Sequence, residues 1–174
     1  MDFSLHCFRE SNAADVALAG FVSHRLRAAL VARQVASLVV SGGRTPQGFF
    51  RRLCLEQLDW SRVVITLADE RWVSEDSPHS NARTVRQGLL ANEAATARFI
   101  PLYHPAASVA AAAALASDAL RVLPPVIDVV VLGMGEDGHT ASIFQDSPHY
   151  PAALHDATSQ SCLAVSGKAP VRER

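Results

Sequence analysis

Short runs of β-branched and other apolar residues alternate along this chain with longer stretches whose apolar positions recur at helical spacing. Leu5 to Arg9 reads as a first short strand, and Ser11 to Arg33 as an amphipathic helix with Ser11 or Asn12 at its N-cap. SLVVS, Ser37 to Ser41, is a continuous apolar strand ending at two glycines, after which Pro46 at a first helical position opens a helix toward Leu58. The next strand, Val63 to Asp69, runs into ADERWVSEDSPHSN, a stretch too rich in turn formers to be regular throughout. The spacing predicts a helix over Asn81 to Ala91, a short strand over Arg98 to Leu102, and an alanine-rich helix over Ala106 to Leu123 closed by Pro124 and Pro125. Ile127 to Leu132 is the strongest strand, and its apolar run with one acidic interruption suits a centre strand covered on both faces. A helix from about Thr140 and a strand around Cys162 to Val165 complete the pattern.

This alternation implies an α/β fold, a mostly parallel sheet with helices on both faces. Ligands in such sheets sit beyond the C-terminal ends of the strands. Three polar loops hold that position, SGGRTP, ADERW and GMGEDGH, and they are expected to converge on one crevice. No internal repeat or linker divides the chain, so residues 1–174 read as one domain.

Composition adds exclusions. With 174 residues, 49% of them hydrophobic, the chain can bury a core, which argues against disorder. Sixteen basic and seventeen acidic residues are scattered without a long run of either sign, which predicts neither a nucleic-acid groove nor a polybasic membrane patch. Cys7, Cys54 and Cys162 are odd in number and lack metal or CxxC spacing, so they read as reduced, buried thiols in a cytoplasmic protein. The most apolar run, Ala106 to Leu120, is shorter than the ~20 residues of a membrane span, and the N-terminus lacks the pattern of a signal peptide. The histidines show no HxH, HExxH or His/Cys pairing, so no metal site is expected, and there is no GxSxG nucleophile elbow.

Each loop suggests chemistry. In SGGRTP, Gly42 and Gly43 can aim successive N–H groups inward and Ser41 and Thr45 add hydroxyls, which suits a phosphate. The loop lacks the GK[ST] ending of a nucleotide P-loop, and an ordinary strand-to-helix turn with Arg44 as a solvated charge remains an alternative. In ADERW, Asp69, Glu70 and Arg71 sit at a strand end, where Arg71 can make bidentate contacts with a phosphate or carboxylate and an acid can orient it; the alternative is a surface ion pair over Trp72. Ser80 and Asn81 read as a helix cap. GMGEDGH has the GxGxxG spacing of a dinucleotide turn, Gly133, Gly135 and Gly138, with Asp156 at a tolerable distance for a ribose contact. However, Glu136 and Asp137 inside the turn would repel a pyrophosphate, so that reading is set aside. A carboxylate two residues before His139 suits acid/base work better, since an imidazole with a reference pKa near ~6.5 is largely neutral at pH 7 and can take a proton from water.

In this order and spacing, SGGRTP, LADERWV with SN ten residues on, and LGMGEDGHTASIF closely resemble the 6-phosphogluconolactonase family. The resemblance implies a three-layer, Rossmann-like α/β fold and hydrolysis of 6-phospho-D-glucono-1,5-lactone, a sugar-phosphate lactone, to 6-phosphogluconate without metal or cofactor. It implies that His139 is the general base with Asp137 in support and that backbone groups from Gly135 to Gly138 line the site. Ser41, Gly42, Gly43, Arg44 and Thr45 would then anchor the phosphate, with Asp69 and Arg71 beside them. A basic segment like the one containing Lys168, Pro170 and Arg172 or Arg174 belongs to the site in the family, whose members continue into a further strand and helix; this chain is expected to lack them. No nucleic-acid or membrane partner is implied, and the expected state is a monomer or weak homodimer. Two readings compete: a glucosamine-6-phosphate deaminase/isomerase, which resembles this chain up to the Asp-Gly-His element but not at Thr140 to Phe144, and a sugar-phosphate-binding module without turnover.

Overall fold

A computed structural model describes residues 3–154, 160–167 and 171–174. Among these residues four parallel strands form one sheet: β1 (Ala36–Val40), β2 (Val63–Leu67), β3 (Arg98–Ile100) and β4 (Val129–Val131), in the spatial order β3-β2-β1-β4. Among the described residues five α-helices connect or flank them: α1 (Ser11–Arg33), α2 (Gln47–Leu53), α3 (Asn81–Gly88), α4 (Val109–Ala119) and α5 (Tyr150–Ala153).

Period-two alternation divides the sheet into its faces. Ala36, Leu38 and Val40 of β1, Val63, Ile65 and Leu67 of β2 and Val129 of β4 join one apolar cluster with α1, α2 and α3. Val64 points the other way, into a smaller cluster with Ile100 and Leu120 beneath the end of α4. The 23-residue α1 turns Ala19, Val22, Leu26, Ala29 and Leu30 to the larger core, a spacing of three and four that keeps one face inward. It ends at Gln34, whose left-handed φ of 64° lets its N–H reach Leu30 O.

The acidic interruption before β4 has a structural function. Asp128 accepts from the backbone N–H of Ser37 at 2.9 Å and from its hydroxyl at 3.1 Å, and also pairs with Arg33. Ser37 Oγ in turn accepts from the Asp128 N–H at 3.0 Å, so a fully buried serine and one carboxylate pin β4 to β1 at the start of their ladder.

Several expectations need correction. Leu5 to Arg9 forms no strand; Phe3, Leu5 and Phe8 are exposed and carry no ladder. The N-cap of α1 is Glu10 rather than Ser11 or Asn12, with no side-chain cap bond. Helix α2 ends at Leu53, short of Leu58, and α3 ends at Gly88, short of Ala91. Pro46 is the N-cap of α2, one position earlier than expected. Among the described residues β4 is an edge strand rather than a centre strand, paired with β1 alone, and Val130 is about half exposed. No helix starts at Thr140, because Ala141 and Ser142 both take left-handed φ values, and Cys162 to Val165 forms no strand. Cys54 is buried as expected, Cys162 is half-buried and its thiol is pushed up by burial, but Cys7 is exposed; all are free thiols. No described helix is long and apolar enough to cross a membrane.

Candidate active site

The parallel register aligns the strand ends. Val40 pairs with Leu67 on one side and with Val131 on the other, so the loops after β1, β2 and β4 leave the sheet at one level. They enclose an open cleft of about 810 Å³. Ser41, Gly42, Gly43, Arg44 and Thr45 line it from the first loop, Asp69 and Arg71 from the second, and Gly135 and His139 from the third. Arg174 joins them from the other end of the chain. Asp137 and Gly138 lie outside that lining, Arg172 is exposed, and Lys168, Pro170 and Asp156 fall outside the described residues.

His139 is held by its own loop. Its Nδ1 lies 2.5 Å from Asp137 Oδ1, and its ring packs on Phe144 with centroids 4.4 Å apart. Backbone bonds from Gly135 N–H to His139 O (2.9 Å) and Gly138 N–H to Gly135 O (2.9 Å) fold the loop under the ring. A Cβ on Gly135 would run into the imidazole and the Asp137 carboxylate, so this glycine is required by close approach. The His139 side chain is one-third exposed and Asp137 rather more, which leaves the ring open to the cleft. An acceptor at Nδ1 fixes the proton there and leaves Nε2 with a free lone pair.

The second loop divides its acids between structure and site. Glu70 is 6% exposed, and its carboxylate accepts from the backbone N–H groups of Arg71, Asn81 and Ala82, each at 2.8 Å, and from the Ser80 hydroxyl at 3.1 Å. It thereby satisfies the first N–H groups of α3, where a carboxylate also faces the positive end of the helix. Burial pushes the Glu70 carboxyl above its ordinary value, and the N–H donors of Asn81, Ala82 and Arg71 oppose that push. Ser80 is the N-cap of α3, accepting from Arg83 N–H, as the SN pair suggested.

Asp69 turns into the cleft. Its carboxylate accepts from the Ser142 hydroxyl and from Asn81 Nδ2 at 3.2 Å, and lies 3.8 Å from Arg174 Nη1. Arg71 Nη1 donates to His79 O and Asn81 Oδ1, each at 2.8 Å. Arg174 reaches this group because residues 165–167 pair antiparallel with 172–174, and Glu173 O accepts from the Trp72 N–H. Burial and the nearby Arg71 charge lower the Arg174 pKa, and Asp69 and Glu70 oppose the shift.

The glycine turn is built less around a helix end than expected. Helix α2 has only seven residues, and Ser41 Oγ accepts from Gly133 N–H at 3.3 Å, tying the first loop to the third. Positive charge at the cleft therefore comes from the side chains of Arg44, Arg51, Arg71 and Arg174. Sequence reasoning missed Asn81 as more than part of a cap, and Ser142 altogether. The SN pair placed ten residues on in LADERWV's own loop was a usable signal for the first; nothing in the sequence pointed to the second. Among the described residues no cluster of three or more His, Cys, Asp or Glu could hold a metal ion.

A sequence profile for glucosamine-6-phosphate isomerases/6-phosphogluconolactonase matches residues 9–174. A 6-phosphogluconolactonase of Pseudomonas aeruginosa is 55% identical over 148 residues, which cover 85% of this chain and 62% of that protein. One of Rhizobium meliloti is 46% identical over 168 residues, covering 97% of this chain and 72% of that protein. The crystal structure of a 6-phosphogluconolactonase from Shewanella baltica superimposes with a TM-score of 0.91 at 43% identity, covering 95% of this chain and 70% of that one. The chain thus spans 62% of the length of the Pseudomonas relative.

Proposed function

The chain belongs to the glucosamine-6-phosphate isomerase/6-phosphogluconolactonase family, and from that premise we propose that it hydrolyses 6-phospho-D-glucono-1,5-lactone to 6-phosphogluconate. The observation that carries the reading is the shared cleft, in which an imidazole oriented by a carboxylate faces a glycine turn and guanidinium groups. Arg71, Arg174 and the Ser41–Thr45 turn hold the substrate phosphate, with Arg44 at the rim and Lys168 of the same basic segment as a further cation. The lactone ring then extends toward His139. Holding the two ends in one geometry supplies much of the rate, because the attacking water and the carbonyl no longer have to find each other.

His139 Nε2 takes a proton from water as its oxygen bonds to the lactone C1, and Asp137 stabilises the imidazolium that results. The tetrahedral oxyanion then collapses, the bond from C1 to the ring oxygen breaks, and the imidazolium returns its proton to the leaving alkoxide. On this reading backbone N–H groups of the loop from Gly135 to Gly138 meet the oxyanion. On this reading the enzyme works in the cytoplasm without metal or cofactor, as a monomer or weak homodimer.

Lactone hydrolysis above the spontaneous background, compared between wild type and His139→Ala, tests the proposal. Loss of a general base is expected to lower kcat by about 100- to 10,000-fold. Equal rates in the two proteins would remove His139 from the reaction, and release of ammonia from glucosamine 6-phosphate would favour a deaminase instead.

A further inference from the structure

Two of the three loops of the cleft, the glycine turn and the loop after β2, meet at one buried amide. Asn81 is 2% exposed. Its Nδ2 donates to Asp69 O at 2.9 Å and to Asp69 Oδ1 at 3.2 Å, while its Oδ1 accepts from Arg71 Nη1 at 2.8 Å. The side chain also fills the space where a Cβ on Gly42 would lie, which brings the glycine turn against it. The orientation of the amide is dictated by its partners, since a guanidinium only donates and a carboxylate only accepts.

Asp69 and Arg71 carry opposite charges two residues apart, yet they form no ion pair within 4 Å; the amide stands between them. Direct pairing would neutralise Arg71 and spend its fork of donors on a protein carboxylate. With the amide interposed, Arg71 gives one nitrogen to neutral acceptors, and Nη2 hydrogen-bonds no described residue.

We propose that Asn81 is a positioning residue that insulates Arg71 from Asp69, keeping the guanidinium charge for the phosphate of the ligand and so setting the preference for phosphorylated over unphosphorylated sugar acids. The inference rests on the assignment of the cleft to a sugar phosphate. Asp69, relieved of Arg71, serves Ser142 and Arg174 instead.

Asn81→Asp keeps size and shape and puts a carboxylate onto Arg71. The test is calorimetric binding of 6-phosphogluconate and of gluconate at pH 8, above the range in which two neighbouring carboxylates share a proton. N81D is expected to weaken 6-phosphogluconate binding by about 10- to 100-fold, the loss of a hydrogen bond to a charged group, and to leave gluconate binding unchanged. The KM for the phosphorylated lactone should rise with it while kcat stays level. Equal weakening for both ligands, or none for 6-phosphogluconate, overturns the proposal. The exchange variant D69N/N81D keeps the charge count and the hydrogen-bonding groups but leaves the carboxylate on Arg71, so it should stay weak; recovery of wild-type affinity would show that only the bonds matter. Should N81D not fold, Asn81→Ser releases both partners and is expected to give the same selective loss; unchanged selectivity in folded N81S also overturns it. Wild type that binds 6-phosphogluconate but hydrolyses no lactone would sink the proposed reaction and leave the Asn81 inference standing.

Discussion

Glu70 gives the sharpest prediction about how the fold supports the cleft. Replacing it by Gln keeps the shape and removes the charge. One carboxylate oxygen accepts from Arg71 and Asn81 N–H, the other from Ala82 N–H and the Ser80 hydroxyl. An amide nitrogen accepts nothing, so whichever position it takes opposes backbone donors. The cheaper choice faces Ser80, whose hydroxyl can turn to accept, and it orphans the Ala82 N–H alone. A buried unsatisfied N–H costs about 1 to 3 kcal/mol. Removing the buried charge returns part of that, which leaves a net loss of about 1 to 2 kcal/mol. For a domain of this length the melting temperature should fall by about 2 to 8 °C.

The size of the loss depends on pH. Burial holds the folded-state carboxyl above the ordinary 4.5. As pH falls through that raised value the folded wild type takes up a proton before the unfolded chain does, so it gains stability, and the gain is complete below 4.5. A protonated carboxyl still accepts through its hydroxyl oxygen, unlike an amide nitrogen, so the acid form keeps the cap that Gln loses. The deficit of Glu70→Gln should therefore widen from pH 8 toward pH 5, as read by thermal unfolding followed by circular dichroism. A variant as stable as wild type at both pH values would refute the assignment of Glu70 as the acceptor that stabilises the first N–H groups of α3.

Two further predictions concern the His139 loop. Asp137→Asn should lower kcat for the lactone by about 10- to 100-fold with KM nearly level, because the neutral amide no longer stabilises the imidazolium; the half-exposed setting keeps this below the loss from removing the base itself. Unchanged kcat would mean that Asp137 does not act through His139. Gly135→Ala should force the imidazole and the Asp137 carboxylate apart, costing about 1 to 3 kcal/mol in denaturant unfolding together with a fall in kcat at least as large as that of Asp137→Asn; full activity would show that the loop has room its geometry denies.

The sheet was legible because buried strands must be apolar and helices must turn a stripe inward, which fixed β1, β2, α1 and the approximate place of α3 and α4. Its edges were not. Ile127 to Leu132 has the composition of a centre strand, but composition does not say how many neighbours a strand has, and Val130 is half exposed on the open side. The convergence of the three loops followed from parallel strands alone, whereas the contacts that join them depend on register and side-chain direction. Asn81 bridges Asp69 and Arg71 because α3 begins against the end of β2, a packing relation between segments that no local pattern encodes. Lys168 and Arg174 were named together on resemblance; the antiparallel pairing of 165–167 with 172–174 brings Arg174 to the cleft, while Arg172 lies outside its lining.

The failed helix at Thr140 has a physical cause that connects to the site. Ala141 and Ser142 sit at φ of 47° and 60°, closing a turn in which Ile143 N–H donates to Thr140 O at 2.8 Å. Each non-glycine residue held there costs roughly 1 to 2 kcal/mol, about 2 to 4 together. The turn persists because it buries Ser142 with its hydroxyl donating to Asp69 and accepting from Arg174 at 3.3 Å. Two hydrogen bonds to charged groups are worth about 3 to 6 kcal/mol net, enough to offset the strain. Asp69 and Arg174, chosen from sequence as substrate contacts, therefore also hold the turn that directly follows His139.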